Sequence, residues 1–340
     1  MQIKLTEKDF GEYLKQHALQ ESTKVKSAGH WIGEVLLDES GVKGSSLPWE
    51  ATHGDIGLDA GCLTIWGGWS GHGKSELLGQ VMLWLMNKHR VAIASLEMRP
   101  AETINRMIRQ THGAQSPSDE YKMGWMDWAN DRLFIYDAVD RVRPVSMMGM
   151  ALYCYKELGI EHMVIDSLTK CGISKDDVAG QATFVDNLQN IAKNTGIHIH
   201  LVTHLRKSDG SKSNPEPSKD DVRGAGEITD LADTVFMVYR NKMKDGLIAD
   251  GKKTFLAKDG TTIQVDDLWD TKLKLVKNRH TGVEMDYKLH RHPSGQYSSA
   301  KGRRMTHPDA KQIDKYTQRH LKNEPKGQAQ LGDTGHGDPS

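Results

Sequence analysis

The segment Gly68-Trp-Ser-Gly-His-Gly-Lys-Ser75 constrains this chain more than any other, because it fits the spacing G-x-x-x-x-G-K-[ST] between a strand-like run and a helix-like run. Cys62 to Trp66 is apolar and β-prone, and Ser75 to Lys88 repeats its apolar residues at helical spacing. A loop so placed hands a strand over to a helix N-terminus. Gly68, Gly71 and Gly73 free the backbone around Ser70 and His72 to turn successive N–H groups into a concave nest, backed by the positive end of the helix. The expected ligand is a nucleoside triphosphate, ATP or dTTP. Lys74 would reach its β and γ phosphates as a point charge, and the Ser75 hydroxyl would take one position on a Mg2+ ion that keeps several waters. The plain alternative is a glycine-rich turn.

Composition narrows the rest. With 340 residues the chain can bury one large core, so one main domain with flexible ends is expected. Lys plus Arg and Asp plus Glu both number 45, so contact with a polyanion must come from local arrangement. The three cysteines, Cys62, Cys154 and Cys171, include no close pair, which argues against a disulfide framework or a zinc ribbon. No apolar run approaches the roughly 18 residues that span a bilayer. A soluble, cytoplasmic protein with no membrane partner is expected.

From Cys62 onward, strand-like runs near 62–67, 91–96, 133–137, 162–166, 198–203, 234–239 and 272–277 alternate with helical stretches near 74–87, 100–112, 146–158 and 181–195. That alternation predicts an α/β fold with a mostly parallel sheet flanked by helices, and ligands outside the carboxyl ends of its strands. Residues 1–25 carry a narrow apolar stripe at Phe10, Tyr13, Leu14 and Leu19 that needs a partner, so they read as a linker-type helix ahead of a domain over 26–300. Residues 301–340 read as a polar tail with one helix from Pro308 to Lys322 and disorder beyond about Glu324.

Hydrolysis needs more than a phosphate cradle. Asp166 closes the run Met163-Val-Ile165, where a carboxylate would hold magnesium beside Ser75, partly through water. Glu97 closes Val91 to Leu96, where it would orient the attacking water. His204 follows the strand ending at Thr203 and would sense the γ phosphate. Each has a structural alternative, a strand-end acid capping a helix or a histidine held in a loop.

These pieces have an order. Ser95-Leu-Glu-Met98, Val164-Ile-Asp-Ser-Leu168, Thr203-His-Leu-Arg206, Arg223-Gly-Ala-Gly-Glu-Ile-Thr-Asp-Leu-Ala-Asp233 and Leu273-Lys-Leu-Val-Lys-Asn-Arg-His-Thr-Gly282, over about 60 to 290, resemble the DnaB-type replicative DNA helicases, nearest their phage primase-helicase and Twinkle branch. The resemblance implies a RecA-like P-loop NTPase core assembling as a ring, usually a homo-hexamer, with single-stranded DNA in the channel. It implies that Lys277 and Arg279 act in trans on the neighbouring subunit's nucleotide. From the residues alone, Lys272, Lys274 and Lys277 read as a solvated edge strand.

Two loops on the cradle's edge of the sheet are candidates for the channel, Lys170 to Gln181 and Arg206 to Gly226. The second holds five basic residues (Arg206, Lys207, Lys212, Lys219, Arg223) against four acids, so backbone N–H groups near Arg223, Gly224 and Gly226 become its expected phosphate contacts, with Arg206 and Lys207 beside them. Aromatic platforms are absent from both loops, Phe184 lying just beyond the first, so little sequence preference is expected. The sequence ahead of residue 60 has no room for a primase or a large collar, so a separate primase, polymerase and loader are the implied partners, in a host cytoplasm if the chain is phage-encoded. Two rivals share the fold, a RecA-like recombinase filament and a KaiC-like regulatory ATPase.

Overall fold

The computed structural model describes residues 26–37, 43–138, 141–174, 176–205, 215–222, 225–257 and 259–323. The chain divides into two units, Met1–Gly41 and Val42–Ser340. In the first, a 3-10 turn at Ala28–Trp31 runs into helix α1 (Ile32–Leu37), where Ile32 and Val35 are exposed. The linker-type helix expected over residues 1–25 lies outside the described residues.

In the second unit, burial along the strands accounts for the layering. β1 (Leu63–Gly67), β2 (Val91–Ser95), β4 (His162–Asp166) and β5 (His198–Val202) are buried at every position, as strands covered on both faces must be. Side chains alternate across the sheet. On β1, Trp66 packs with α2 (Lys74–Leu85), α3 (Pro100–His112) and α4 (Asp119–Ala129), whereas Leu63 and Ile65 pack with α5 (Pro144–Leu158), α6 (Val178–Thr195) and α7 (Ala225–Leu231).

With β3 (Leu133–Ile135), β6 (Thr234–Arg240), β9 (Thr271–Asn278), β10 (Met285–Arg291) and β11 (Tyr297–Ser298), the strands form one nine-stranded sheet in the order β11-β10-β9-β6-β1-β5-β4-β2-β3. From β6 through β3 every pairing is parallel, and β9, β10 and β11 continue the sheet antiparallel. A separate hairpin pairs β7 (Thr254–Leu256) with β8 (Thr262–Gln264). Every strand expected from the sequence is present, and the fold is the expected α/β one. One expectation changes: β9 is an interior strand, flanked by β6 and β10, so Lys272, Lys274 and Lys277 do not mark an edge. Lys272 is paired with Glu216 and Asp286, and Lys274 with Glu216, which satisfies the cations without free solvent on both sides.

Helix α8 (Ala310–Asn323) packs on α4, with Ile313 fully buried and the Trp128 indole donating to Asp309 at 3.0 Å. The packing needs Gly124, because a Cβ there would stand 2.5 Å from Thr317. Residues after 323, where a disordered tail is expected, lie outside the described residues. Among the described residues, no helix is long and apolar enough to cross a membrane.

Candidate functional site

The parallel strands bring their carboxyl ends to one edge, and a cleft there is lined by Ser70 to Glu76, Glu97, Asp166, His204, Arg240 and Arg291. The loop leaves β1 at Gly67 and enters α2 at Lys74. Gly73 takes φ 86°, and a Cβ on it would meet the Tyr297 hydroxyl at 2.6 Å, so no side chain fits. At Gly68 a Cβ would stand 2.6 Å from the Val238 carbonyl. The cradle is therefore packed tightly against β6 and β11.

Lys74 is buried, its Nζ donating to the carbonyls of Gly68 (2.8 Å) and Trp69 (3.1 Å) and to His204 Nδ1 at 3.4 Å. Burial pushes its pKa down to about 8, against the opposing pull of Asp166 and Glu97. Ser75 donates to Asp166 Oδ2. Burial raises the Asp166 carboxyl above its usual range, and the Ser75 bond only partly offsets that. Glu97 accepts from Ser167 Oγ at 2.8 Å and from His204 Nε2 at 3.3 Å. The His204 bond first, with Ser167 adding to it over the cost of burial, brings its pKa down to about 2. His204 thus bridges the carboxylate of one strand end and the ammonium of the loop.

His72 is buried, its Nδ1 accepting from the Arg240 backbone N–H at 3.1 Å, and burial followed by Lys242 and Lys74 lowers it to about 4. It is a neutral brace between the loop and β6. Its Nε2 finds no partner among the described residues.

Sequence reasoning missed the other wall of the cleft. Glu76, one residue past Ser75, accepts two bonds from Arg291 (2.8 and 2.7 Å) and one from the Tyr297 hydroxyl (2.9 Å). Burial pushes the Glu76 carboxyl up, but the Arg291 guanidinium outweighs it and holds the group below its usual range. This clasp ties α2 to β10 and β11.

Lys277 and Arg279 lie elsewhere. Asn278 pairs with Thr234 at the start of β6, whereas Arg240 at its end lines the cleft. Six residue steps of ~3.3 Å put the two ends of β6 about 20 Å apart. Lys277 Nζ donates to the carbonyls of Thr229 and Asp230, both at 2.9 Å. Arg279 donates to Asp233 Oδ1 (3.0 Å) and the Asp230 carbonyl (2.7 Å), with its side chain 42% exposed. So Lys74, Ser75, Asp166, Glu97 and His204 come together, and Lys277 and Arg279 form a second cluster at the opposite edge.

Of the residues expected to meet nucleic acid, Gly226 lies in the first turn of α7, while Arg206, Lys207, Arg223 and Gly224 lie outside the described residues. In the other loop, Asp177 caps α6 by accepting from Gly180 N at 2.8 Å, and Phe184 is buried in the core, so it offers no stacking surface.

Comparison with known proteins finds relatives of this chain. A sequence model of the DnaB-like helicase C terminal domain matches residues 53–290. The chain is 27% identical over 198 residues to the DNA helicase/primase of Enterobacteria phage T3, covering 52% of this chain and 35% of that protein. It is 24% identical over 230 residues to the replicative DNA helicase DnaB of Helicobacter pylori, covering 63% of this chain and 47% of that one. The chain thus spans half or less of the curated relatives it matches. Among solved structures, a DnaB-like replicative helicase studied with its interactions with primase superposes with TM-score 0.63 at 16% identity, over 83% of this chain and 70% of that one. A second solved structure, an isolated ATPase domain, superposes with TM-score 0.60 at 15% identity, over 78% of this chain and 95% of that one. At those identities the structural likeness speaks for the fold alone, a mostly parallel sheet flanked by helices.

Proposed function

The chain belongs to the DnaB-like helicase C-terminal domain family, and from that premise we propose that it is the motor of an ATP-dependent, ring-forming DNA helicase. It moves along single-stranded DNA and displaces the complementary strand during replication. The observation that supports this reading is the separation of the loop from Gly68 to Ser75, at one edge of the sheet, from Lys277 and Arg279 about 20 Å away at the other. A single copy cannot close its own site. In a ring, most simply of six, each boundary brings the Lys74 half of one copy to the Arg279 half of the next.

The donor set at the cradle fits magnesium. Ser75 hydroxyl and Asp166 carboxylate are hard oxygen ligands already in contact, and the buried Asp166 gains from a nearby cation. When bound, the ion neutralises charge on the phosphate oxygens. The chain's own residues do the rest. Lys74 leaves the Gly68 and Trp69 carbonyls for the β and γ phosphates, which breaks its contact with His204. Glu97, ionised and fixed by Ser167 and His204, orients the attacking water. His204 therefore couples phosphate occupancy to the position of that carboxylate.

Residues 1–25 would serve as a linker arm to the adjacent subunit, and of the expected 301–340 tail only the part beyond residue 323 would be an appended segment, since Ile313 is buried in the domain. DNA would be held through backbone N–H groups of the loop ending at Gly226, with Arg206, Lys207, Arg223 and Gly224 beside it, at little sequence preference. A separate primase, polymerase and loader would act with it, in the cytoplasm.

Single-stranded DNA is expected to stimulate ATP hydrolysis, and forked duplexes are expected to be unwound by closed rings visible by electron microscopy. Hydrolysis indifferent to DNA at low salt would point instead to a regulatory ATPase, and open filaments without unwinding to a recombinase. Binding should also depend on pH. Lys74 sits at about 8 in the free protein, and phosphates draw its charge back, so nucleotide binding takes up a proton near that pH. Affinity then falls as pH rises through 8, by at most about tenfold per unit for one proton. Calorimetry at pH 8.5 in two buffers of different ionisation enthalpy reads this directly, and equal heats in both would contradict it.

A further inference from the structure

Two segments converge at the edge of the sheet away from the cleft. Asp59 lies in the approach to β1, Cys62 immediately precedes that strand, and His280 sits in the turn after β9. Asn278 draws the turn in: its Nδ2 donates to the Asp55 carbonyl at 3.2 Å, while its Oδ1 accepts from His280 N at 3.1 Å and Thr281 N at 3.3 Å. Tyr287 ties the same approach by donating to Asp55 Oδ2 at 2.9 Å, and buried His198 donates from Nδ1 to the Asp59 carbonyl at 2.6 Å. The result is a carboxylate oxygen, a thiol sulfur and an imidazole nitrogen all within 4.8 Å of one another.

We propose that Asp59, Cys62 and His280 bind a divalent transition metal of the zinc class. Cys62 Sγ and His280 Nε2 are 3.5 Å apart. Bonds of ~2.3 Å to sulfur and ~2.0 Å to nitrogen at a tetrahedral angle put those two ligands about 3.5 Å apart, the same separation. Within 4.8 Å of both atoms of that pair, the Asp59 carboxylate supplies a third donor. Mixed sulfur, nitrogen and oxygen donors select zinc over magnesium, which takes oxygens alone. His280 is exposed, which leaves a path in and a fourth position for water. The anchors on Asp59 and on the 278–281 turn supply the outer support that metal ligands need. On binding, the Cys62 S–H bond breaks, a sulfur–metal bond forms and the proton leaves to solvent.

Cobalt(II) is the probe, added to the full, untagged, nucleotide-free chain. One equivalent is expected to give a thiolate-to-cobalt charge-transfer absorption that zinc displaces. Cys62→Ser should abolish that band and Cys154→Ser should leave it. His280→Ala, at an exposed position where folding is not at risk, should weaken binding by at least about tenfold. No band at saturating cobalt, a band that survives Cys62→Ser, or unchanged affinity in His280→Ala would each overturn the assignment.

Discussion

Lys74→Ala is expected to lower ATP turnover by about 10²- to 10³-fold, the scale on which removing one preorganised group that meets developing charge acts. Two features of the free protein make the result interpretable. Lys74 is held by main-chain carbonyls of its own loop, so its replacement frees those carbonyls without touching the sheet. Its ammonium also carries a cost of burial, visible in a pKa brought down to about 8, so alanine relieves a penalty in the empty protein. The melting temperature should stay close to that of the parent while nucleotide affinity and turnover both collapse. A steady-state assay beside a nucleotide-binding titration checks this. Turnover within tenfold of the parent would remove Lys74 from the phosphate site, and a large drop in melting temperature would recast it as a structural residue.

How much of this was legible in the sequence depends on the range of the contact. Gly68 to Ser75 is a local spacing, and its cradle needs only its own backbone and the following helix. Asp166, Glu97 and His204 are distant in sequence, yet parallel strands deliver their carboxyl ends to one edge, so a residue closing an apolar run can be assigned to the site before any contact is known. The Glu76–Arg291 clasp spans 215 residues and the Tyr297–Glu76 bond 221, with no periodic signal joining them. They come from β10 and β11, short strands in which Tyr287 and Leu289 alternate with charged residues. Without those strands β9 reads as an edge. The Cys62–His280 contact spans 218 residues and is equally silent in the sequence. Arg279 becomes a candidate only through the order of motifs, since alternating lysines on a strand carry the same local signal as a solvated face.

Arg279→Ala should lower turnover by roughly 10³- to 10⁵-fold while leaving nucleotide binding nearly intact, because a finger supplied in trans meets charge that develops on the transferring phosphoryl group. In the isolated chain the guanidinium rests on Asp233 and the Asp230 carbonyl, 42% exposed and far from its own cradle. Its loss leaves Asp233 still accepting from Leu63 N at 2.9 Å, so the fold should tolerate the change. The decisive measurement mixes Arg279→Ala with Lys74→Ala subunits, each inactive alone. If the finger acts across the boundary, a cradle from the first kind facing an arginine from the second is complete, and random one-to-one mixing makes up to about a quarter of the boundaries in a head-to-tail ring competent. Hydrolysis should return on mixing and vanish again at dilutions where subunits separate. Native mass spectrometry confirms that mixed rings form. Mixed rings that remain inactive would place Arg279 outside the neighbouring site, and the drop in the single variant would then have to arise from the Asp233 contact within one copy.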